Sequence, residues 1–160
     1  DLSQRVEDIL KGAALMTGTT VDAQWDEHPM SLPVRNNATL ARRWGATQAS
    51  RGRDVLPAGT LPDSQAASTD FGNVSHLVPG IHPLVKIAPE GTALHTTDFA
   101  AAAISDQAFE GAFDAAVGLA QTIADILNDP QLLADAQEEF RLAGGAISVE
   151  KLLAGAAEQP

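Results

Sequence analysis

Hydrophobic positions recur every three to four residues at both ends of the chain, which predicts helices there. Residues 1–17 carry one apolar face, and Gly18 suits the end of that helix because glycine accepts a left-handed backbone. A longer helix is predicted over residues 106–127, with Ser105 as its N-cap. Its apolar positions form one stripe that is expected to be buried: Phe109, Phe113, Ala116, Leu119, Ala120, Ile123 and Leu127.

Capping residues divide the rest of the C-terminal half into shorter helices. Asp129 can cap a helix, and Pro130 fits its first position because proline lacks the N–H that is unpaired there. Gly144 and Gly145 then end that helix. Ser148 predicts the start of a short last helix.

A short helix is also predicted near the middle of the chain. Asn36 or Asn37 can cap it, with Leu40 and Trp44 four residues apart on its buried side. Residues 45–67 are rich in glycine, proline, serine and charge, which predicts a long loop. A loop of this length in a compact domain is often functional.

Three other segments have patterns typical of strands. Apolar and polar residues alternate over residues 19–26, and residues 74–78 and 84–88 are short apolar runs. Between them, residues 70–73 have the glycine and asparagine of a tight turn. Helices together with strands predict an α/β fold.

Composition narrows the possible functions. The chain has 160 residues, a formal net charge of −11 and no cysteine. The acidity argues against binding to nucleic acid or to an anionic membrane surface. Without cysteine, disulfides, zinc fingers and thiol nucleophiles are excluded, so any metal needs His, Asp, Glu or backbone ligands. No apolar run reaches the length of a membrane span, and we expect a soluble, cytoplasmic protein.

Three of the four histidines lie within residues 68–95, at positions 76, 82 and 95. Histidines without cysteines favour a metal with nitrogen and oxygen ligands, such as zinc or manganese. His82 begins a predicted strand and His95 lies on a loop, although a loop histidine is more often a surface residue than a ligand. His76 alternates with apolar residues and fits a half-exposed strand position.

Local alternatives apply to the polar residues of the same segment. Asp70 and Asn73 fit turn residues whose side chains bond their own backbone. Ser68 lacks the Gly-x-Ser-x-Gly surroundings of a nucleophilic serine. Glu138 and Glu139 fit a solvated helix face rather than a catalytic pair.

Three motifs in this segment follow one another in a recognisable order. They are Ser-Thr-Asp-Phe-Gly-Asn-Val-Ser at 68–75, Val-Pro-Gly-Ile-His-Pro at 78–83, and His95-Thr96. In this order they resemble the dinuclear zinc amidohydrolases and exopeptidases, which include aminoacylase, succinyl-diaminopimelate desuccinylase and glutamate carboxypeptidase. Within that family the resemblance is to the branch of aminoacylase-like dipeptidases and aminobenzoyl-glutamate hydrolases. It is tight over residues 66–100 and loose over the rest of the chain.

The resemblance implies a domain organisation. Residues 1–27 would be the last helix and strand of an α+β lid, or dimerisation, domain, and residues 28–35 the hinge. Residues 36–160 would be the C-terminal part of a catalytic domain with a mixed sheet. Because the chain begins at Asp1 inside a helical pattern and without a methionine, we expect it to be part of a longer protein.

The resemblance also implies a site with two divalent metal ions, zinc or alternatively manganese. His95 would be a metal ligand, and His82 would lie behind the ligands and orient one of them. Four residues of the first motif would line the substrate pocket: Ser68, Thr69, Asp70 and Asn73. Of these, Asp70 would lie beside the metals. The remaining metal ligands and the glutamate general base of the family have no counterpart in this chain and are expected upstream.

The implied reaction is hydrolysis of the amide bond of a small N-acyl amino acid or dipeptide-like substrate, by a water that the glutamate deprotonates. We expect the 160 residues alone to be inactive and to need the N-terminal part of the same enzyme. A homodimer through the lid domain is also implied. Two alternatives stay open: a non-catalytic interaction or assembly module that keeps the fold without metals, and an unrelated acidic α/β binding domain.

Overall fold

The computed structural model describes residues 2–25, 31–57, 60 and 69–148. The chain divides into two compact units, Asp1–Met30 and Ser31–Pro160. All regular structure in the described residues is helical, and none of them forms a strand. The expected α/β fold with a mixed sheet is therefore wrong for the part of the chain described here.

The first unit contains helix α1, Leu2–Thr17, which confirms the helix predicted from the spacing of apolar residues. Gly18 ends it with φ +66°, the left-handed conformation expected of a terminating glycine. Residues 19–25 have no regular structure, so the strand predicted at 19–26 is wrong over these residues, and residue 26 lies outside the described part. An alternating pattern becomes a strand only when a neighbouring strand pairs with its backbone, and the described residues supply none.

The described residues of the second unit form five helices, of which three pack against one another. Their bounds in chain order are α2 Ala38–Ser50, α3 Phe71–Ser75, α4 Thr97–Ala102, α5 Asp106–Asn128 and α6 Pro130–Leu142. Helix α5 packs against α2 and α6, which also pack against each other. No helix in the described residues combines the length and the apolar character that a membrane span requires.

The helix ends confirm the predicted caps. The Asn37 carboxamide accepts from Leu40 N at 3.0 Å, and the Ser105 hydroxyl accepts from Ala108 N at 3.2 Å. The Asp129 carboxylate caps α6 in the same way, with Pro130 in its first turn. The last predicted helix, from Ser148 onward, falls almost entirely outside the described residues.

Elsewhere the predicted elements are replaced by helix or by irregular chain. Helix α2 continues five residues past Gly45, where a loop was expected. Helix α3 replaces the turn at 70–73 and the start of the strand at 74–78, and α4 was not predicted. Residues 84–87 have no regular structure and Ala88 lies in a bend, so the strand at 84–88 is wrong as well.

Helices α2 and α5 approach each other closely at Gly118. A Cβ atom there would lie 2.3 Å from Gln48 Nε2 and 2.6 Å from Trp44 Nε1. Gln48, which is almost fully buried, donates from Nε2 to the carbonyl oxygen of Asp114 at 2.8 Å. Because only a residue without a side chain permits this distance, the small face of α5 is the one that faces α2.

The buried face of α5 is therefore not the predicted one. Its buried residues are small: Ala108, Gly111, Gly118 and Thr122. Phe109, Phe113, Leu119, Ile123 and Leu127 of the predicted stripe are exposed. The stripe was predicted correctly as an apolar face, but its burial within the described residues is wrong, because α2 packs against the opposite side of the helix.

Two arginines that follow α2 fix its C-terminal end to α5. Arg51 and Arg53 both donate from Nε to the carboxylate of Asp114. The hydrogen bond from Arg51, followed by that from Arg53, lowers the pKa of Asp114 below its ordinary value.

This pKa gives a pH-dependent prediction. A carboxyl whose pKa is lowered by folding stabilises the fold above its unfolded pKa, about 3.9 for aspartate, and this stabilisation is lost as the pH falls through the lower folded value. We expect Asp114→Asn to lower the free energy of unfolding at pH 7, and the difference from the wild type to narrow below about pH 4. Urea unfolding at a series of pH values measures it. Glu110→Gln, on an exposed position of the same helix, is the control, and an equal narrowing there would contradict the assignment to Asp114.

Candidate functional site

Helix α3 contacts residues 32–35, which lie near the start of the second unit. Four of its residues or immediate neighbours, Gly72, Asn73, Ser75 and His76, contact residues 32–35, and we call these four the α3 seat. Three of them belong to the Ser-Thr-Asp-Phe-Gly-Asn-Val-Ser motif: Gly72 and Asn73 in its middle and Ser75 at its end.

Two side chains of the seat accept hydrogen bonds from backbone N–H groups of residues 32–35. Asn73 Oδ1 accepts from Leu32 N at 2.8 Å, and Ser75 Oγ accepts from Arg35 N at 2.9 Å. Ser75 also donates from Oγ to the carbonyl oxygen of Gly72 at 2.6 Å, and its exposure is 0%. The hydroxyl thus both donates and accepts, which a buried hydroxyl needs if it is not to cost free energy.

Gly72 lets the two backbones touch. A Cβ atom at this position would lie 1.7 Å from the carbonyl oxygen of Leu32 and 2.8 Å from its carbonyl carbon. Both atoms belong to the backbone and cannot rotate away. The motif therefore needs glycine here because of packing, not because of an unusual backbone angle.

His76 contacts the segment through its ring. Its Nε2 lies 3.1 Å from the carbonyl oxygen of Pro33, and because a carbonyl only accepts, Nε2 is the donor in this contact. The carbonyl oxygen of His76 accepts from Ile147 N at 2.8 Å. The strand that was predicted around His76 is absent, and the half-buried ring has a structural contact instead.

Arg35 connects the same segment to the end of α6. Its guanidinium donates to the carbonyl oxygens of Ala143 at 2.9 Å and Gly145 at 2.6 Å, and it lies 4.4 Å from the centre of the Phe140 ring. Carbonyl groups at a helix C-terminus lack partners within the helix and attract a cation. Residues 32–35 are thus held on one side by α3 and on the other by α6.

Removal of one hydroxyl tests the seat. We expect Ser75→Ala to lower the free energy of unfolding by about 1–3 kcal/mol, because Arg35 N loses its acceptor at a half-buried position. Urea denaturation measures the change. Ser50→Ala is the matched control, since the Ser50 hydroxyl bonds only a carbonyl of its own helix and its residue is exposed. An equal effect of the two substitutions would contradict the proposed contact.

His82 lies on a loop that is tied to the N-terminus of α2. Its backbone N donates to Asn36 Oδ1 at 2.8 Å, and Asn37 N donates to the carbonyl oxygen of Gly80 at 2.8 Å. Its ring centre is 5.4 Å from that of Phe71 in α3. The residue itself is exposed. This places His82 next to α3, with a ring that is accessible from outside.

His95 has an unusual backbone. Its φ is +61°, and it is the one described non-glycine residue with positive φ. A residue with a Cβ atom pays roughly 1–2 kcal/mol for this conformation, which occurs mostly at functional sites and tight turns. The residue is exposed, and the following Thr96 caps α4 by accepting from Phe99 N at 3.2 Å. The loop therefore presents the imidazole outward, directly before a helix N-terminus.

The remaining predicted pocket residues lie at the start of α3. Asp70 is exposed and makes no side-chain capping bond to the helix. Thr69 Oγ1 accepts from Phe71 N at 3.3 Å. Ser68 lies outside the described residues.

The described residues do not form a complete metal site. Nowhere in them do three or more histidine, aspartate or glutamate side chains group closely enough to hold a metal ion. A cavity of about 430 Å³ between α2 and α5 has Arg43, Thr47, Arg51 and Gln121 among its lining residues, and His95 is not one of them. His95 can offer a single ligand, and a structural or catalytic zinc ion requires at least three from protein.

Glu139 has a role that the sequence did not indicate. Its carboxylate accepts from the backbone N–H groups of Ala38 and Thr39 and from the Thr39 hydroxyl, so it caps α2 from outside. Burial opposes ionisation of Glu139, but these hydrogen bonds outweigh it and lower the pKa. The expectation of a solvated helix face is therefore wrong for Glu139, whose carboxylate is half-buried and hydrogen-bonded.

Sequence reasoning also missed Ser75 and Arg35. Their partners lie 40 residues away for Ser75 and more than 100 residues away for Arg35. The one available signal was the motif itself, in which a glycine, an asparagine and the final serine lie within four residues. That signal was interpreted as a substrate pocket.

Comparison with known proteins gives two relatives. The chain is 34% identical over 140 residues to the Xaa-Arg dipeptidase of Mus musculus, and 33% identical over 141 residues to that of Homo sapiens. Each match covers 88% of this chain and 32% of the relative. No family model matches the chain. No solved structure matches it either.

A match over 140 of 160 residues includes positions 21–140 wherever it begins, and hence both the α3 seat and His95. The chain spans about a third of the length of the curated relatives that it matches. Over most of its own length, the chain is thus similar to one part of a dipeptidase.

Proposed function

We propose that this chain is part of a metal-dependent amide hydrolase of the dipeptidase type. The observation that carries the proposal is the similarity to two Xaa-Arg dipeptidases across a region that includes the three motifs. The order of these motifs, and not one residue type, distinguishes this function from that of a general acidic domain. The peptidase names of both relatives support the reaction class.

His95 is the proposed metal ligand of this chain. Its ring is exposed, and its backbone is held in a conformation that costs free energy. With no cysteine in the chain, the donor set is nitrogen and oxygen, which suits two zinc ions or, alternatively, manganese. Because the described residues supply no group of three ligands, the others are proposed to come from polypeptide outside this chain. The 160 residues alone are then inactive.

The substrate contacts proposed for this chain lie near the start of α3. Thr69 and Asp70 are available at its N-terminal end, while Ser68 precedes the described residues. Asn73 already bonds Leu32 N, so its contribution includes holding the backbone of the pocket wall. His82, beside Phe71, is proposed to lie behind a metal ligand and orient it.

The names of the relatives indicate the substrate to test first, a dipeptide whose second residue is arginine. The acidic chain, with its formal net charge of −11, favours the approach of such a cationic substrate. The proposed reaction is hydrolysis of the single amide bond between the two residues. The metals when bound would polarise that carbonyl, and a glutamate outside this chain would serve as general base.

A second function has one observation in its favour. His95 is exposed and the cavity described above lies elsewhere, which fits a non-catalytic interaction or assembly module that keeps the fold without metals. In that case the longer polypeptide binds no catalytic metal.

Metal analysis of the longer polypeptide separates the two functions. We expect about two metal ions per chain, consistent with a dinuclear site, and a loss of metal in His95→Ala. Leu94→Ala is the matched control, because Leu94 is a neighbouring exposed residue of the same loop. Absence of metal from the unsubstituted protein, after reconstitution with zinc or manganese, would support the assembly module and exclude the hydrolase.

A further inference from the structure

One face of α5 is apolar along nearly the whole helix. Its positions follow one another at alternating intervals of four and three residues, which places them on a single side of the helix. We call this set the α5 stripe: Phe109, Phe113, Ala116, Ala120, Ile123 and Leu127. At 1.5 Å per residue, it extends for about 27 Å and contains no charged side chain.

The α5 stripe is exposed to solvent. Exposed fractions are 74% for Phe109, 56% for Phe113, 59% for Ile123 and 78% for Leu127. The guanidinium of Arg51 lies over the Phe113 ring, 5.3 Å from its centre. Helix α2 packs on the opposite, small-residue side of α5 at Gly118, and α6 also packs against α5. The stripe is therefore a second, complete apolar face without a partner among the described residues.

A continuous apolar face of this size is unusual on the surface of a soluble monomer and typically marks a binding surface. Only five hydrophobic side chains are buried in the described residues, which is a small hydrophobic core for this number of residues. Two phenylalanines and two large aliphatic residues left in water therefore indicate a substantial surface to be covered.

We propose that the α5 stripe is the docking face for the rest of a dipeptidase-length polypeptide, an inference that rests on the proposed function. The relatives continue for about two thirds of their length beyond the matched part, and polypeptide of that extent is what we propose as the partner. The partner surface is apolar and uncharged over about 27 Å, because the stripe offers no ion pair.

A second copy of this chain fits the α5 stripe less well. Each copy carries a formal net charge of −11, and the exposed acidic residues Asp106 and Glu110 lie beside the first turn of the stripe. Two such faces brought together would place like charges near each other, which opposes association.

The test uses the absence of cysteine from this chain. Ala120→Cys places one thiol in the middle of the α5 stripe, and Ala134→Cys places one on an exposed position of α6, on the side opposite to its buried Ala136. The rate of maleimide labelling is measured for each variant in the 160-residue chain and in the longer polypeptide. Circular dichroism confirms that both variants are folded.

We expect the thiol at position 120 to react at least about tenfold more slowly in the longer polypeptide than in the 160-residue chain, since docking must open before it reacts. The thiol at position 134 should react at a similar rate in both. Equal rates at position 120 would overturn the proposal, as would a rate in the 160-residue chain that falls with protein concentration, which shows a second copy. A native protein that consists of these 160 residues alone would overturn it too.

Labelling needs neither metal nor substrate, so its result is independent of catalysis. A longer polypeptide that protects position 120 but binds no metal would retain the docking face and exclude the proposed hydrolase. A longer polypeptide that binds metal but does not protect position 120 would retain the proposed hydrolase and exclude the docking face.

Discussion

Gly72→Ala is expected to lower the free energy of unfolding of the second unit by about 3 kcal/mol or more, the largest stability effect predicted for this chain. The added Cβ atom would lie 1.7 Å from the Leu32 carbonyl oxygen. Backbone atoms on both sides prevent relief by a change of rotamer. The segment 32–35 must then leave the α3 seat, and the hydrogen bonds from Leu32 and Arg35 to the seat are lost with it.

Urea unfolding followed by circular dichroism measures this change. Gly12→Ala is the matched control, because a Cβ atom there meets nothing within 4 Å and lies in the middle of α1. In that control, alanine should be neutral or stabilise by about 1 kcal/mol. A Gly72→Ala variant as stable as the wild type would show that residues 32–35 do not lie against α3.

His95→Ala is expected to produce the largest loss of activity. If His95 is the proposed ligand, its loss in the longer polypeptide would remove transition-state stabilisation of several kcal/mol, which corresponds to about a thousandfold or more in kcat/KM. The chain should fold normally, because the His95 side chain is exposed and alanine at φ +61° carries a strain similar to that of histidine. Hydrolysis of a dipeptide ending in arginine is measured at saturating metal.

Leu94→Ala serves again as the control and should change kcat/KM by less than about threefold. A His95→Ala variant with nearly unchanged activity would remove His95 from the metal site. If both His95→Ala and Leu94→Ala lowered the thermal stability and reduced kcat/KM equally, the effect would belong to the loop and not to the imidazole.

Helices α1, α2, α5 and α6 could be predicted from the sequence because their signals are local, whereas α3 and α4 were not predicted. Asn37, Ser105 and Asp129 each cap a helix where the pattern placed one, and Gly18 ends α1. Caps act within four residues, so their partners are visible in the sequence. The same local information gave the apolar face of α5, although not the surface against which it packs.

The strands and the fold class could not be predicted in this way. The alternating pattern at residues 19–26 specifies which side chains share a face, but a strand exists only when another segment bonds its backbone. The described residues contain no such segment. Residues 71–75 form a helix in place of the predicted turn and strand. There the buried hydroxyl of Ser75 is hydrogen-bonded, and Gly72, which has no side chain, lets Leu32 approach closely.

The contacts of the candidate site could not be predicted from the sequence, and the roles predicted for its residues stay predictions. The motif at 68–75 indicated important residues, and the structure gives Gly72, Asn73 and Ser75 a positioning role that depends on a segment some 40 residues earlier. His95 was selected by motif resemblance alone. Its positive φ is a structural feature that no periodicity or spacing could reveal.

Metal-dependent hydrolysis by the longer polypeptide tests the central claim most directly. The polypeptide is stripped with a chelator, reconstituted with zinc or manganese, and assayed on a dipeptide ending in arginine, alongside the isolated 160-residue chain. We expect activity that disappears on chelation, returns with the metal, and is absent from the isolated chain. Full activity in the stripped protein, or no activity in any metal-loaded form, would contradict the account.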